Sequence, residues 1–148
     1  MNTPSISIIP RPVSVEPSAG HFQMSPPTRI LCTGEAILEA GYLADALRPA
    51  TGFPFPVVSD ADSVSAEADI VLSMRPGTMA SEAYELTVDE DGIRIVAATR
   101  QGVFYGIQSL LQLLPEAVFR KAAVPSTDWQ VPCVRMVDEP RFGWRGLH

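Results

Sequence analysis

The stretch Thr99 to Leu114, TRQGVFYGIQSLLQLL, places the strongest constraint on how this chain can fold. Its aliphatic residues recur at intervals of three and four, which puts their side chains on one face of a helix. They are Val103, Ile107, Leu110, Leu111 and Leu114. The Thr99 hydroxyl suits a helix N-cap, and Pro115 cannot continue a helix. The sequence therefore predicts an amphipathic helix over this stretch.

Two glycines inside the predicted helix need an explanation. Gly102 and Gly106 lie one turn apart, and each costs up to about 1 kcal/mol relative to alanine in a helix interior. They could form a smooth strip where the helix backbone lies close to a sheet. They could equally be tolerated in a helix that its leucines stabilise. The pattern alone leaves both interpretations open.

The residues just before this helix have the pattern of a β-hairpin. Apolar and polar side chains alternate from Tyr84 to Val88 and again from Ile93 to Val96, with Glu-Asp-Gly at residues 90–92 between the two runs. An Asp-Gly pair between alternating segments is a strong local hairpin signal. We therefore predict two antiparallel strands joined by a turn at Gly92.

The rest of the chain predicts short strands and one more helix. The helix covers residues 35–49 and is expected to end at Pro49 and Gly52. The strand candidates are Ile6–Ile9, Val13–Glu16, His21–Met24, Arg29–Cys32, Ala68–Ser73 and Trp129–Val137. Because this order is not a regular alternation of strand and helix, the expected fold class is α+β. We expect one mainly antiparallel, twisted sheet with two helices packed on one face.

The charge balance excludes some classes of partner. A net charge of −6 and a pI near 4.8 argue against nucleic acid and against an anionic membrane surface, since both attract clustered cations. No apolar run approaches the roughly 20 residues of a membrane-spanning helix. The start of the chain lacks a basic segment followed by an apolar one, so no secretion signal is visible and the localisation stays open.

The sequence does not predict a catalytic or metal site. The acidic pairs Asp89-Glu90 and Glu90-Asp91 fall in the hairpin turn, where solvated charge is the expected role, and Asp138-Glu139 follows the last strand. His21 and His148 have no partner at a triad spacing. Neither predicted helix contains His-Glu-x-x-His, so we expect no metal and no cofactor.

The two cysteines, Cys32 and Cys133, lie far apart in the sequence and do not have zinc-ligand spacing. They could pair only if strands brought them together. Two buried free thiols are the preferred interpretation, because free cysteine is commonly a small core residue.

Two motifs resemble one enzyme family. The hairpin followed by G-x-x-Y-G-x-Q-S-L-L-Q-L-L over residues 102–114, and the segment Asp138-Glu-Pro-Arg-Phe-Gly-Trp-Arg-Gly-Leu-His148, resemble the family 20 glycoside hydrolases, the β-N-acetylhexosaminidases. The resemblance implies that residues 1–139 form the non-catalytic N-terminal α+β domain, whose arrangement is similar to that of zinc peptidases (zincin-like). Residues 140–148 would then be a stub of the first strand of a missing (β/α)8 catalytic barrel.

The resemblance also implies an activity for the intact enzyme. Members of the family remove terminal non-reducing N-acetylhexosamine residues with retention, and the substrate's own acetamido oxygen acts as nucleophile. The Asp-Glu pair that supports this reaction lies in the barrel, so we expect no catalytic residue here and no activity from this chain alone. The barrel and the sugar would be the partners of the intact enzyme.

One residue of this chain matches a sugar ligand of the family. Arg145, within Trp144-Arg-Gly146, corresponds to an arginine that holds sugar hydroxyls in the intact enzyme, a role that suits the fixed donors of a guanidinium. Trp129 and Trp144 are expected to pack rather than to stack on a sugar. The alternative to a domain of this enzyme is a freestanding carbohydrate-binding or protein-interaction module.

Overall fold

The computed structural model describes residues 14–59, 69–75, 83–120 and 127–138. Seven strands and two α-helices occur in these ranges. In chain order they are β1 (Ser14–Gln23), β2 (Ile30–Cys32), α1 (Ile37–Thr51), β3 (Val57–Val58), β4 (Asp69–Met74), β5 (Tyr84–Asp89), β6 (Gly92–Ala97), α2 (Arg100–Leu113) and β7 (Gln130–Asp138). Short 3-10 helices lie at Gly34–Ala36 and Glu116–Phe119. The predicted strand Ile6–Ile9 lies outside the described residues, as do residues 140–148.

The described strands form one sheet in the order β1-β7-β5-β6-β4-β2-β3. The pairs β1/β7, β7/β5 and β5/β6 are antiparallel, whereas β6/β4, β4/β2 and β2/β3 are parallel. The α+β class is confirmed, but the expectation of a mainly antiparallel sheet is wrong, because the sheet is evenly mixed. After β2 the chain crosses over through α1, so β3 re-enters the sheet in the same direction.

The hairpin and the second helix are confirmed. β5 and β6 pair from Tyr84 opposite Ala97 to Asp89 opposite Gly92. Helix α2 begins after Thr99, whose side chain accepts a hydrogen bond from the Gly102 N–H at 3.2 Å. This bond satisfies one of the free donors of the first turn. Local sequence therefore determines the boundaries of both elements.

The first helix extends two residues past Pro49, which was expected to end it. Gly52, with φ 74°, is the actual C-cap, and its N–H donates to the Arg48 carbonyl. The Thr51 hydroxyl also donates to the Leu47 carbonyl at 2.7 Å. A proline in the last turn removes only one backbone bond, and the left-handed glycine after it ends the helix without strain.

The N-terminal strand differs from the sequence prediction. Residues 13–16 and 21–24 were expected to form two strands separated by a turn, but Ser14–Gln23 is one edge strand. Its pairing with β7 is irregular between Pro17 and His21, and Gly20 has a φ of 98°. The predicted turn is thus an irregular segment within an edge strand, a position that also tolerates the missing N–H of Pro17.

The main core lies between the two helices and one face of the sheet. On the central strands, alternate residues point into it, including Leu86 and Val88 of β5 and Ile93 and Ile95 of β6. Val131 and Val134 of β7 both join this core, although strict alternation predicted opposite faces for them. The pairing of β1 with β7 is irregular at this point, between Pro17 and His21 of β1. No helix in the described residues is long and apolar enough to cross a bilayer.

Candidate functional site

Helix α2 rests directly on the sheet at its two glycines. A Cβ added to Gly102 would meet the Ala83 carbonyl oxygen and would lie 2.8 Å from the Ala97 Cβ. A Cβ added to Gly106 would lie 2.6 Å from Cγ2 of Ile95. Such separations are far shorter than a carbon–carbon contact. The close-approach interpretation of these glycines is therefore confirmed.

A buried hydrogen bond joins the same helix to β5. The Tyr84 hydroxyl and the Ser109 hydroxyl share it at 2.5 Å, and both residues are buried. Burial raises the pKa of the Tyr84 phenol, the Ser109 hydrogen bond opposes this shift, and the Asp138 carboxylate adds to it. Together with the glycine contacts, this bond fixes the position of α2 on the sheet.

The outer side of the helices carries an apolar surface. Its members are Ile37, Leu38 and Tyr42 of α1, Phe104 of α2, and Phe119 of the second 3-10 helix. We call these five residues the helix-layer surface. Leu38 and Phe119 are 65% and 64% exposed, respectively. Leu38, Tyr42 and Phe104 are out of phase with the core-facing residues of their helices, so their side chains point away from the sheet.

Several contacts hold this surface together. The rings of Tyr42 and Phe104 lie 5.3 Å apart, and the amide of Gln108 donates to the Tyr42 hydroxyl at 2.9 Å. Arg100 of α2 donates to the Glu39 carboxylate of α1 at 3.1 Å. Each contact spans α1 and α2, so these contacts join the two helices at Tyr42 and Phe104.

The acidic pairs of the hairpin turn have a structural role. The Asp89 carboxylate accepts hydrogen bonds from the N–H groups of Asp91 and Gly92 at 3.0 and 3.1 Å, which closes the turn. Its second oxygen lies 3.9 Å from the Arg94 guanidinium. Glu90 and Asp91 are exposed. This arrangement agrees with the expected solvated charge and gives no pair of carboxylates facing a common cleft.

Three of the other residues considered in the sequence analysis, His21, Trp129 and Asp138, lie within the described ranges. His21 is exposed on β1 opposite Pro132. Asp138 ends β7 opposite Tyr84, whereas its neighbour Glu139 lies outside the described residues. Arg145, His148 and Trp144 also lie outside them. Trp129 is 3% exposed and belongs to the core, so its predicted packing role is confirmed.

Both cysteines are buried and free. Cys32 lies on β2 and Cys133 on β7, with β4, β6 and β5 between them. Four strand spacings separate them by about 19 Å, far beyond the reach of a disulfide. Burial raises the pKa of the Cys32 thiol, with Glu39 adding to the shift, and burial likewise raises the pKa of Cys133. The preferred interpretation of free thiols is confirmed.

Among the described residues, no group of three or more histidine, cysteine, aspartate or glutamate side chains is placed to hold a metal ion. The exposed large apolar side chains of the described residues are those of the helix-layer surface. Sequence reasoning did not identify the helix-layer surface. The available signal was Leu38 and Phe104, two large apolar residues on the polar side of each helical period.

Comparison with known proteins agrees with this geometry. The model of glycosyl hydrolase family 20, domain 2, matches residues 5–139. The chain belongs to this family. A β-hexosaminidase of Porphyromonas gingivalis is 32% identical over 96% of this chain, which spans only 18% of that protein. A β-N-acetylhexosaminidase of Cellulomonas fimi is 29% identical over 97% of the chain and 28% of its own length.

Solved structures of the family share the fold. The family 20 β-N-acetylhexosaminidase of Streptomyces coelicolor A3(2) superposes with a TM-score of 0.81 at 38% identity, covering 90% of this chain and 26% of its own. The Streptomyces plicatus enzyme, solved with thio-NAglucal, gives 0.80 at 36% identity over the same shares. The family 20 domain described here thus corresponds to about a quarter of each of these chains. The resemblance first seen at residues 102–114 is confirmed.

Proposed function

We propose that this chain is the non-catalytic domain of a β-N-acetylhexosaminidase and that it packs against a (β/α)8 catalytic barrel and stabilises it. The observation that carries the proposal is the match of the family's domain 2 to residues 5–139, in a chain that spans 18% to 28% of two relatives named β-hexosaminidase and β-N-acetylhexosaminidase. The hairpin carboxylates support a non-catalytic role, because Asp89 accepts hydrogen bonds from backbone N–H groups of its own turn and Glu90 and Asp91 are exposed.

The proposal includes a domain boundary. Residues 1–139 would form the α+β domain, and residues 140–148 would begin the first strand of the barrel. The end of the family match at residue 139 supports this division. We also propose that the domain keeps a zincin-like arrangement of sheet and helices but has no metal site. The lack of a metal site is supported by the absence of His-Glu-x-x-His from both helices.

In the intact enzyme, the proposed reaction is hydrolysis of a terminal non-reducing N-acetylhexosamine by the substrate-assisted, retaining route. Arg145 would hold hydroxyls of that sugar, and its motif Trp144-Arg-Gly146 is the support. Converting Arg145 to Ala in a full-length enzyme that carries this domain should weaken both binding and turnover of a chromogenic N-acetylglucosaminide. Unchanged kinetics would remove Arg145 from the proposal.

The central experiment replaces the matching domain of the Streptomyces coelicolor enzyme with this chain. The chimera should fold, hydrolyse p-nitrophenyl N-acetyl-β-glucosaminide, and unfold at a higher temperature than the same enzyme without the matching domain. The 148-residue chain alone should release no p-nitrophenol above the buffer blank. A chimera that is no more stable than the domain-deleted enzyme would contradict the proposal.

A freestanding carbohydrate-binding module predicts a different result. Titration of the isolated chain with N-acetylglucosamine or chitobiose should give no heat and no chemical-shift change if the domain is a scaffold. Saturable binding in the millimolar range or tighter would favour the module instead.

A further inference from the structure

We infer that residues 52–56, which connect α1 to β3, hold β3 on the edge of the sheet and so prevent that edge from pairing with a second copy of this chain. We call these five residues the α1–β3 latch. β3 is the last strand at one end of the sheet that the described strands form, and its two residues pair with Ile30 and Leu31 of β2. So short a strand gains little from its own pairing, and its position therefore depends on the connection that precedes it.

The two edges of the sheet differ in how they are protected. At the other edge, β1 carries an exposed charge at Glu16 and a proline at position 17, and its pairing with β7 is irregular. Charges, prolines and irregular pairing are the usual means by which an edge strand avoids another chain. Neither β3 nor β2 contains a charged residue, and the three residues of β2 are fully buried. If β3 left the sheet, an apolar strand without charge or proline would become the new edge.

The centre of the latch is a buried phenylalanine in an unfavourable backbone conformation. Phe55 has a φ of 41°, the one positive value among the non-glycine residues that the structure describes. Its side chain is fully buried in the main core, and its ring lies 6.0 Å from that of the partly buried Phe53. A bulky residue rarely adopts a positive φ, and it keeps one only where the surrounding contacts impose it. Glycine would suit this backbone but has no ring to bury, so Phe55 acts as an anchor.

Arg48 of α1 binds the backbone of the latch. Its Nε donates to the Pro54 carbonyl at 2.8 Å, and a terminal nitrogen donates to the Phe55 carbonyl at 3.2 Å. The planar guanidinium can bind two neighbouring carbonyls at once, and a charged donor makes a stronger hydrogen bond than a neutral one. The Pro56 carbonyl, next along the chain, accepts from the Ile30 N–H at 2.9 Å. Hydrogen bonds therefore connect α1 to β2 through the latch.

The start of the latch is tied to the last turn of α1. The Thr51 hydroxyl accepts a hydrogen bond from the Phe53 N–H at 3.1 Å while it donates to the Leu47 carbonyl. The latch is thus fixed at its start by α1, in its middle by the core and at its end by β2. For β3 to leave the sheet, Phe55 must leave the core and Arg48 must release the two carbonyls.

Hydrogen exchange of the 148-residue chain tests the latch, because two amides report on the two sides of β2. The Ile30 N–H binds Pro56 and reports on β3, whereas the Ile70 N–H donates to the Arg29 carbonyl and reports on the pairing of β2 with β4. Arg48→Ala should accelerate exchange at Ile30 about tenfold, since it removes two bonds from a charged donor. Exchange at Ile70 should change by less than about twofold. Equal acceleration of both amides, or no acceleration at Ile30, would overturn the inference.

Asp45→Ala is the matched control on the same helix. The Asp45 carboxylate lies 3.4 Å from the Arg48 guanidinium, and its side chain is 80% exposed. Removing it breaks this ion pair but leaves the carbonyl bonds of Arg48 in place, so exchange at Ile30 should not change. Arg48→Lys keeps the charge without the planar fork and should accelerate Ile30 less than Arg48→Ala does. If Asp45→Ala accelerated Ile30 as much as Arg48→Ala, the ion pair would be the cause and the inference would be wrong.

Self-association tests whether the latch protects the edge. In sedimentation experiments, Arg48→Ala should dimerise at a lower concentration than the unsubstituted chain, whereas Asp45→Ala should behave like the unsubstituted chain. Because a strand of the second copy would bind the freed Ile30 N–H, exchange at Ile30 in Arg48→Ala should slow again as the protein concentration rises. If Arg48→Ala associates no more than the unsubstituted chain, or forms dimers without slowing exchange at Ile30, the latch does not protect this edge and the inference is wrong. These outcomes are independent of the proposed function, which the chimera tests separately.

Discussion

The two faces of strands β5 and β6 are built from neighbouring residues and yet differ in burial. Ile95 points toward the helices and is fully buried. Val96, the next residue, is half-buried on the opposite face of the sheet, which we call the open side. The same contrast holds for Tyr84 and Glu85 on β5. Because successive side chains of a strand point to opposite faces, one stretch of chain supplies both the core and the solvent side.

This difference in burial shows which face of the sheet contributes most to the stability of the domain. On the helix side, apolar burial and two glycine contacts leave no room for change. On the open side, ion pairs such as Arg135 with Glu85 are half-exposed and therefore contribute little. Substitutions matched across the two sides of the sheet should separate these contributions to the free energy of unfolding.

The largest difference is expected between adjacent residues of β6. Ile95→Ala should lower the free energy of unfolding by about 3 kcal/mol, because it leaves a cavity against α2. Val96→Ala should cost below about 1 kcal/mol, since its side chain is only half-buried. Urea denaturation of the 148-residue chain measures both. Equal losses of unfolding free energy would mean that the Val96 side chain is packed as closely as that of Ile95.

The second comparison uses glycines in the two helices. Gly102→Ala should lower the free energy of unfolding by about 2 kcal/mol despite alanine's helix propensity, because the new methyl group meets the Ala83 carbonyl, a backbone atom. Gly41 of α1 has open space around its Cβ position, so Gly41→Ala should raise stability by up to about 1 kcal/mol. Stabilisation by both substitutions would show that α2 does not lie as close to the sheet as described.

The third comparison concerns two tyrosine hydroxyls. Tyr84→Phe leaves the buried Ser109 hydroxyl without its partner and should cost about 1 to 2 kcal/mol. Tyr42→Phe removes a bond to Gln108 that lies at the exposed surface and should cost a few tenths of a kcal/mol at most. Thermal unfolding at neutral pH distinguishes them. Similar losses would place the two hydroxyls in similar environments.

The same tyrosine predicts an alkaline effect. Because folding raises the pKa of Tyr84, its neutral form is favoured in the folded state and the unfolded chain loses the proton first. This contribution to stability is fully present below the ordinary tyrosine pKa of about 10 and is lost as the pH rises through the higher folded value. Tyr84→Phe should therefore flatten the alkaline decline of the unfolding temperature. A decline as steep as that of the unsubstituted chain would remove Tyr84 as a cause.

The smallest effect is expected on the open side. Arg135→Gln breaks the ion pair with Glu85. The Arg135 side chain is 51% exposed and that of Glu85 33%, so the loss in the free energy of unfolding should be below about 1 kcal/mol. The cost should shrink further at 1 M salt, where the Debye length is about 3 Å. Urea denaturation at low and high salt measures this, with Thr87→Ser as a neighbouring control. If Arg135→Gln lowered the free energy of unfolding more than Tyr84→Phe does, the ion pair on the open side would contribute more to stability than we expect.

The β5/β6 hairpin could be predicted from the sequence because its signals are local. The Asp-Gly turn fixes the register of β5 and β6, and the Thr99 cap with Pro115 bounds α2. The parallel half could not be predicted in the same way. Its pairs, such as Ile30 with Ile70, join residues far apart in the chain, and no turn specifies their direction. The expectation of a mainly antiparallel sheet failed for this reason.

The candidate site likewise combines features that depend on local sequence with features that depend on the packing of distant segments. The solvated charge of the hairpin carboxylates followed from the sequence, because turn chemistry is local. The helix-layer surface did not, since Tyr42 and Phe119 lie in separate segments and line one groove only after packing. Arg145 stays a prediction, because it lies outside the described residues.

The hairpin, the two helices, the α+β class and the resemblance to family 20 could be predicted from the sequence, because periodicity, caps and turns act over a few residues. The mixed strand directions, the separation of Cys32 from Cys133, and the proximity of Tyr42 to Phe104 and Phe119 became visible with the folded structure. Those features depend on which distant segments share a surface. That choice is made by the burial of the whole core and not by any local pattern.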